Sequence, residues 1–251
     1  MAAITYVSVV RDPEMYRKCI QSNPACIGRE MVMFDNREKN EHIPTLYNRF
    51  LRSRPSDEDA WYVFCHEDFQ PKEPLEPLVD KLDKNALWGP IGAVTKRCFL
   101  IYEKWELKGE IEGCSRIGEN CRKIGSPAPL GTQVDTFDCQ CLVVHSSLLQ
   151  RTGLRFDEKL SYDLYLEDLC INAQENFNIT PRILPLKCRH WSESTAQARY
   201  YTQKSYLDKK YPSCSYTGIC SWSIGGRPSI LRRFNITVKT CVMKLMRLLK
   251  V

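Results

Sequence analysis

Between Trp61 and Asp68 the chain passes straight from an apolar run into acid and imidazole. Trp61-Tyr62-Val63-Phe64-Cys65 is followed at once by His66-Glu67-Asp68. The apolar part is too short and too aromatic for an amphipathic helix, and it reads as a buried strand. A strand interior has no cheap place for polar, mostly ionisable groups, so they belong where the strand emerges, at its carboxyl end. Ligands of open α/β sheets bind just outside such ends. Oxygen and imidazole donors there suit a divalent cation, and a cation suits a phosphate. A strand that merely ends in a solvated polar turn would show the same residues, so the surrounding sequence has to decide.

The preceding residues alternate strand and helix signals. Ile4 to Val10 reads as a strand ending at Arg11-Asp12-Pro13, and Glu14 to Gln21 as a short helix with Pro13 in its first turn. Glu30 to Phe34 reads as a second strand, and Ile43 to Ser53 as a second helix with Ile43, Leu46, Tyr47, Phe50 and Leu51 as its apolar stripe. This β-α-β-α-β order predicts a parallel sheet with right-handed crossovers. Neither G-x-G-x-x-G nor G-x-x-x-x-G-K-[ST] occurs, which speaks against a dinucleotide-binding turn and a P-loop. Further on, Phe137 to Val144 reads as an apolar strand that contains Asp138 and places Cys139 and Cys141 on one face. Lys104 to Leu130, rich in Gly and Pro, reads as a long polar loop that is functional or mobile.

With 43% hydrophobic and 26% charged residues, the composition is that of an ordinary globular protein. No apolar run is long enough to span a membrane, and the N-terminus does not read as a signal peptide. The thirteen cysteines include no C-x-x-C pair. Cys114/Cys121, Cys188/His190 and Cys214/Cys220 do not match a zinc-finger spacing. The expectation is a reduced, cytosolic chain with core thiols. The net charge of +6 is unevenly placed. From Ser213 onward there are seven basic residues and no acidic one, leaving 29 of the 36 basic residues to face the 30 acidic ones. A neutral body argues against nucleic-acid binding. Residues 1–212 therefore read as one domain and 213–251 as a basic tail. In that tail Leu231, Phe234, Val238, Cys241, Val242, Leu245, Leu248 and Leu249 oppose the basic residues on a helical wheel. Such a helix suits an anionic membrane surface on the inner face, and equally a terminal helix packed on its own domain or on a second copy.

Several segments in order resemble the GT-A type glycosyltransferases of the family-2-like superfamily, in the branch whose metal motif reads His-x-Asp. They are Val7-Ser8-Val9-Val10-Arg11-Asp12, Phe34-Asp35-Asn36, Ile43-Pro44-Thr45-Leu46-Tyr47-Asn48, Phe64-Cys65-His66-Glu67-Asp68, Leu87-Trp88-Gly89-Pro90-Ile91-Gly92-Ala93, Val134 to Val144, Gly153 to Glu158, Tyr165-Leu166-Glu167-Asp168-Leu169-Cys170 and His190-Trp191-Ser192. The match spans roughly residues 4 to 212. The resemblance implies a GT-A fold, with a mostly parallel central sheet flanked by helices. It implies transfer of a sugar from a nucleotide-diphosphate donor, UDP by family habit, to a glycan or glycolipid hydroxyl, with inversion and with Mn²⁺ or Mg²⁺.

The roles carried over are these. Asp68 and His190 contact the metal. His66 departs from the commoner Asp-x-Asp pattern and stands open between the metal, the diphosphate and the strand end. Val9, Arg11, Asp35, Asn36 and Glu67 line the nucleotide side, and Asn48 braces the site. Asp138 meets the acceptor or the donor sugar. The loop from Lys104 to Leu130, by its length rather than by the resemblance, is expected either to flank the acceptor cleft or to be disordered. Asp168, beside Glu167, takes the acceptor proton; paired carboxylates raise one another's pKa, although the same pair also suits a helix N-terminus with no catalytic part. Two other readings share these residues: a nucleotidyl-transferring or non-catalytic relative of the same fold, and a membrane-surface adaptor acting through its tail.

Overall fold

The computed structural model describes residues 3–98, 102–116, 120–191, 198–219 and 223–226. The amphipathic helix expected from Leu231 onward lies outside the described residues, whereas the first part of the expected tail is described. Strand β1 (Ala3–Val10) leads into a short helix α1 (Pro13–Tyr16), whose amino end Asp12 caps by accepting from the amide of Met15. A π-helical turn over Arg17–Gln21 carries the chain on to β2 (Glu30–Asp35). Helix α2 (Ile43–Ser53) and strand β3 (Ala60–Cys65) complete the expected β-α-β-α-β unit. β1 pairs in parallel with both β2 and β3, so the chain reverses its direction of travel across the sheet beside β1. Crevices at such reversals are where α/β sheets bind ligands.

The chain then leaves the sheet and begins a second one. Strand β4 (Phe69–Pro71) starts directly after the His66-Glu67-Asp68 segment. After α3 (Glu76–Val79) come β5 (Leu87–Gly89) and β6 (Gly92–Cys98), so the Leu87 to Ala93 segment that carried part of the resemblance is split between the two sheets. Strands β7 (Tyr102–Cys114) and β8 (Cys121–Ser126) form an antiparallel hairpin. The polar loop expected over Lys104 to Leu130 is thus mostly sheet. Its apolar side is carried by Trp105, Leu107 and Ile111 at every second position, with Gly109 and Gly113 completing the alternation, which is a strand period.

β9 (Thr136–Phe137) and β10 (Cys141–His145) are followed by α4 (Ser146–Thr152) and α5 (Tyr165–Phe177). The strand expected over Phe137 to Val144 is therefore interrupted. Asp138 stands in the break between sheets, where its carboxylate keeps water contact. Cys139 and Cys141 do not share a face: Cys139 packs in the core on the α2 side and Cys141 in the core on the other. β11 (Arg182–Ile183), β12 (Cys188–His190), α6 (Ala198–Lys210), β13 (Tyr216–Thr217) and β14 (Ser223–Ile224) complete the described chain.

The result is a mixed α/β fold. The first sheet has the order β11-β5-β10-β3-β1-β2, with β10 antiparallel to both its neighbours and the other pairs parallel. It is buried on both faces, which is why β3 reads as a continuous apolar run. Tyr62 and Phe64 pack with Leu46, Tyr47 and Phe50 of α2 and Leu166 and Leu169 of α5. Trp61, Val63 and Cys65 face the other way, toward Cys19, Ile20, Phe69, Ile111 and Trp191. The second sheet, β4-β12-β7-β6-β9 with β8 beside β7, covers part of that second face. Among the described residues no helix is long and apolar enough to cross a membrane. The expectation that all cysteines are free thiols fails at one pair, because Cys114 and Cys121 are joined in a disulfide at the end of the β7–β8 hairpin. Seven of the eight described free cysteines are buried, as core thiols would be.

Candidate metal centre

Three side chains bring their ligand atoms together where β3 ends. His66, Asp68 and His190 each offer one atom, and the three atoms lie within 4.8 Å of one another. Nε2 of His190 stands 3.3 Å from Oδ1 of Asp68, and Nδ1 of His66 stands 3.9 Å from the same oxygen. These contacts have ion-pair distances without hydrogen-bond geometry: His66 Nδ1, Asp68 Oδ1 and His190 Nε2 are all buried without a hydrogen-bond partner. Leaving a buried polar atom unsatisfied costs about 1–3 kcal/mol, so three together call for a ligand. Metal bonds of about 2.1 Å set ligand atoms at most about 4.2 Å apart, close to the observed spacing.

The groups behind the ligands fix their lone pairs. The hydroxyl of Tyr165 donates to the carbonyl of Cys139 at 2.7 Å, so its oxygen accepts from His66 Nε2 at 2.9 Å. That places the ring proton on Nε2 and leaves Nδ1 bare toward the cluster. Tyr165 reaches His66 because the chain turns through Leu164 at φ 62°, an uncommon conformation for a branched side chain, just before α5 starts. His190 turns its other nitrogen, Nδ1, toward Oδ2 of Asp138 at 3.9 Å. Burial pushes the His66 pKa down, which keeps its ring neutral and able to ligate. Burial alone would lower His190 as well, but the adjacent Asp68 carboxylate reverses the sign. Burial alone would raise Asp68; His190, His66 and Arg116 together hold it well below the usual carboxylate range. Two imidazoles and one carboxylate form a donor set that fits a divalent transition-metal cation and departs from the all-oxygen preference of Mg²⁺.

His66 and Asp68, but not His190, line a cavity of about 230 Å³ at the carboxyl ends of β1, β2 and β3. Val9, Arg11, Asn36, His66, Glu67 and Asp68 come from those strand ends. The start of α2, with Tyr162 and Arg199, forms the wall. Tyr162 stacks on His66 at 5.3 Å between ring centroids, and the Arg199 guanidinium lies 5.0 Å from the Tyr162 ring.

Not every expected residue comes to this place. Asp35 is exposed, holds Arg37 in an ion pair that lowers its pKa to about 2, and does not line the cavity. Asn36 does line it, but its amide is spent on the turn, donating to the carbonyl of Glu41 at 2.9 Å and accepting from the Glu41 amide at 2.7 Å. Asn48 braces α2, donating to the carbonyl of Phe156 and to Glu158. Glu67 accepts the backbone amides of Arg11 and Asp12, tying the end of β1 to the end of β3.

The two carboxyls of α5 part ways. Asp168 accepts from Lys210 Nζ at 2.7 and 3.0 Å and from the Tyr211 hydroxyl at 2.8 Å, fully buried and away from the cavity lining. It fixes α5 to the end of α6 and does not line the cavity, unlike His66 and Asp68. Glu167 is buried beside Cys139, whose thiol donates to it at 3.1 Å. Burial and then the charge of Asp138 push its pKa up to about 8.

Sequence reasoning missed Arg116. Its guanidinium donates to Oδ2 of Asp68 at 2.9 Å and to the backbone carbonyl of Trp191 at 3.0 Å. Tyr162 and Tyr165 were likewise missed, although an aromatic three residues away from Asp168 on the same helix was a visible signal.

No family model matches the chain, and no curated protein matches it. Among solved structures it is similar to TarS 1-349 of S. aureus, with a TM-score of 0.45 and 11% identity over 75% of this chain and 60% of that one. It is also similar to A197 from STIV, with a TM-score of 0.41 and 12% identity over 92% of this chain and 96% of that one. This chain thus spans 60% of the TarS chain. Neither likeness is strong enough to carry a functional argument, which rests on the residues themselves.

Proposed function

We propose that this protein is a metal-dependent glycosyltransferase that moves a sugar from a nucleoside diphosphate, UDP by resemblance, to a hydroxyl of a glycan or glycolipid with inversion. The observation that carries the reading is the meeting of three buried, unpartnered ligand atoms beside a cavity at the carboxyl ends of parallel strands. His66 Nδ1, Asp68 Oδ1 and His190 Nε2 would hold a divalent cation, Mn²⁺ in preference to Mg²⁺. Such a cation supplies Lewis-acid stabilisation of a departing diphosphate. Val9, Arg11 and Asn36 shape the nucleotide side of the cavity, with Arg11 offering charge to phosphate. Glu67 keeps that rim in register through the amides it holds.

Neither α5 carboxyl lines the cavity. Asp168 is held by Lys210 and Tyr211, and Glu167, its pKa pushed up to about 8 by burial and the charge of Asp138, keeps its proton at neutral pH, so no base for the acceptor is assigned. Asp138, at the break between sheets, orients His190 and faces the acceptor side. The basic tail, residues 213–251, would hold the enzyme at an anionic membrane surface.

The test is Mn²⁺-dependent hydrolysis of UDP-sugars without acceptor. We expect turnover in the wild type and a loss of at least about 100-fold in Asp68→Ala. UDP binding without any turnover of a panel of nucleotide sugars would point instead to a non-catalytic relative of the fold.

A further inference from the structure

Arg116 lies on neither helix nor strand. It stands two residues past Cys114, where β7 ends, and the Cys114–Cys121 disulfide closes the hairpin directly behind it. The amide of Ser115 donates to the carbonyl of Asn120 at 3.0 Å, extending the closure by one step. From that position the guanidinium reaches both segments that carry the ligand atoms. Nη2 donates to Oδ2 of Asp68 at 2.9 Å. Nε donates at 3.0 Å to the carbonyl of Trp191, the residue after His190. Nη1 reaches Oδ2 of Asp12, past the end of β1, at 3.5 Å.

The two oxygens of Asp68 are thereby divided. Oδ2 belongs to the guanidinium, and Oδ1 faces His190 Nε2 and His66 Nδ1. A carboxylate free on both sides can rotate and present either oxygen. One held by a planar fork of fixed spacing cannot do so easily. The same fork also sets the spacing of two strand ends from different sheets, because its other arm holds the backbone beside His190. A long side chain gives up rotamer freedom to do this, and a closed hairpin behind it limits the alternative positions its backbone could sample.

We propose that Arg116 is a positioning residue of the metal centre: it aims Oδ1 of Asp68 at the cation, sets the distance between the Asp68 and His190 segments, and is kept in reach by the Cys114–Cys121 disulfide. This rests on the reading of His66, Asp68 and His190 as cation ligands. A guanidinium could instead compete with the cation for Asp68, but it engages the oxygen that points away from the imidazoles.

The experiment titrates the full chain with Mn²⁺ alone and follows the free ion by electron paramagnetic resonance, beside thermal unfolding without metal. We expect Arg116→Ala to weaken Mn²⁺ binding about 10–100-fold, the range for residues behind metal ligands, with metal-free unfolding lowered but still cooperative because Asp68 loses a partner. Arg116→Lys keeps the charge and loses the fork, and it recovers only a minor part. The double variant Cys114→Ser/Cys121→Ser weakens binding in the same direction by about 3–10-fold. Equal or tighter binding by Arg116→Ala, or full recovery by Arg116→Lys, overturns the positioning role and leaves the metal reading standing. Wild-type affinity in the double cysteine variant overturns the disulfide's part. If Arg116→Ala does not fold, the lysine variant decides the positioning role and the double cysteine variant the disulfide's part, wild-type affinity overturning each. A wild-type chain that binds no Mn²⁺ overturns the metal reading itself.

Discussion

Glu167 and Asp168 are neighbours in sequence and opposites in chemistry. Asp168 is also buried, which raises its pKa, but Lys210 and Tyr211 supply it with partners. Glu167 is deeply buried beside a carboxylate and has no cationic partner among the described residues to offset that, so its neutral form is favoured in the folded state. The linkage follows. The unfolded chain releases the Glu167 proton near its ordinary 4.5, while the native state keeps it up to about 8. Between those values the native state binds more protons, so this group's contribution to stability falls as pH rises. Relative to Glu167→Gln, the wild type should lose up to about 1.4 kcal/mol per pH unit across that window, measured by denaturant unfolding. Parallel pH dependences in the two proteins would mean that Glu167 ionises normally. The paired motif was legible in the sequence, but its division of labour was not. Which carboxyl turns toward Lys210 depends on α6, more than thirty residues downstream.

At the level of elements, the first three strands and α2 were readable because their burial is simple. β3 is apolar throughout since both faces are covered, and α2 carries its stripe at helical spacing. The β7–β8 hairpin was misread as a loop because glycines fill places on its apolar side. Gly109 has φ +83°, and a Cβ there would meet the carbonyl oxygen of Pro90 at 2.0 Å. Glycine is needed for close approach of two backbones, not for disorder. Gly109→Ala should therefore destabilise the protein by about 2–3 kcal/mol, read as a lowered denaturation midpoint. A neutral outcome would show that the hairpin does not pack against Pro90. Asp68 stood out in the sequence as a polar group at a strand end, and His190 only through the family resemblance. Arg116 did not, because nothing local tells a loop arginine that a disulfide will hold it over a carboxylate far away in the chain.

For the molecule as a whole, a cation held only by the native arrangement adds its binding energy to folding. At a Mn²⁺ concentration about 100 times its dissociation constant the gain is about 2.7 kcal/mol. The melting temperature should rise with Mn²⁺, rise less with Mg²⁺ at equal concentration, and return on chelation. An identical melting curve with and without excess Mn²⁺ would argue that His66, Asp68 and His190 hold no ion in solution.

The segment from His66 to Phe69 is also where the chain steps from one sheet to the other, and His190 arrives on the second sheet, in parallel register with Gly113 of the hairpin. A cation held here would therefore be a mechanical gauge of how the two sheets sit against each other. A small shear along their seam, wherever on the surface it originates, would pull imidazole from carboxylate and be felt as a change in ion residence time.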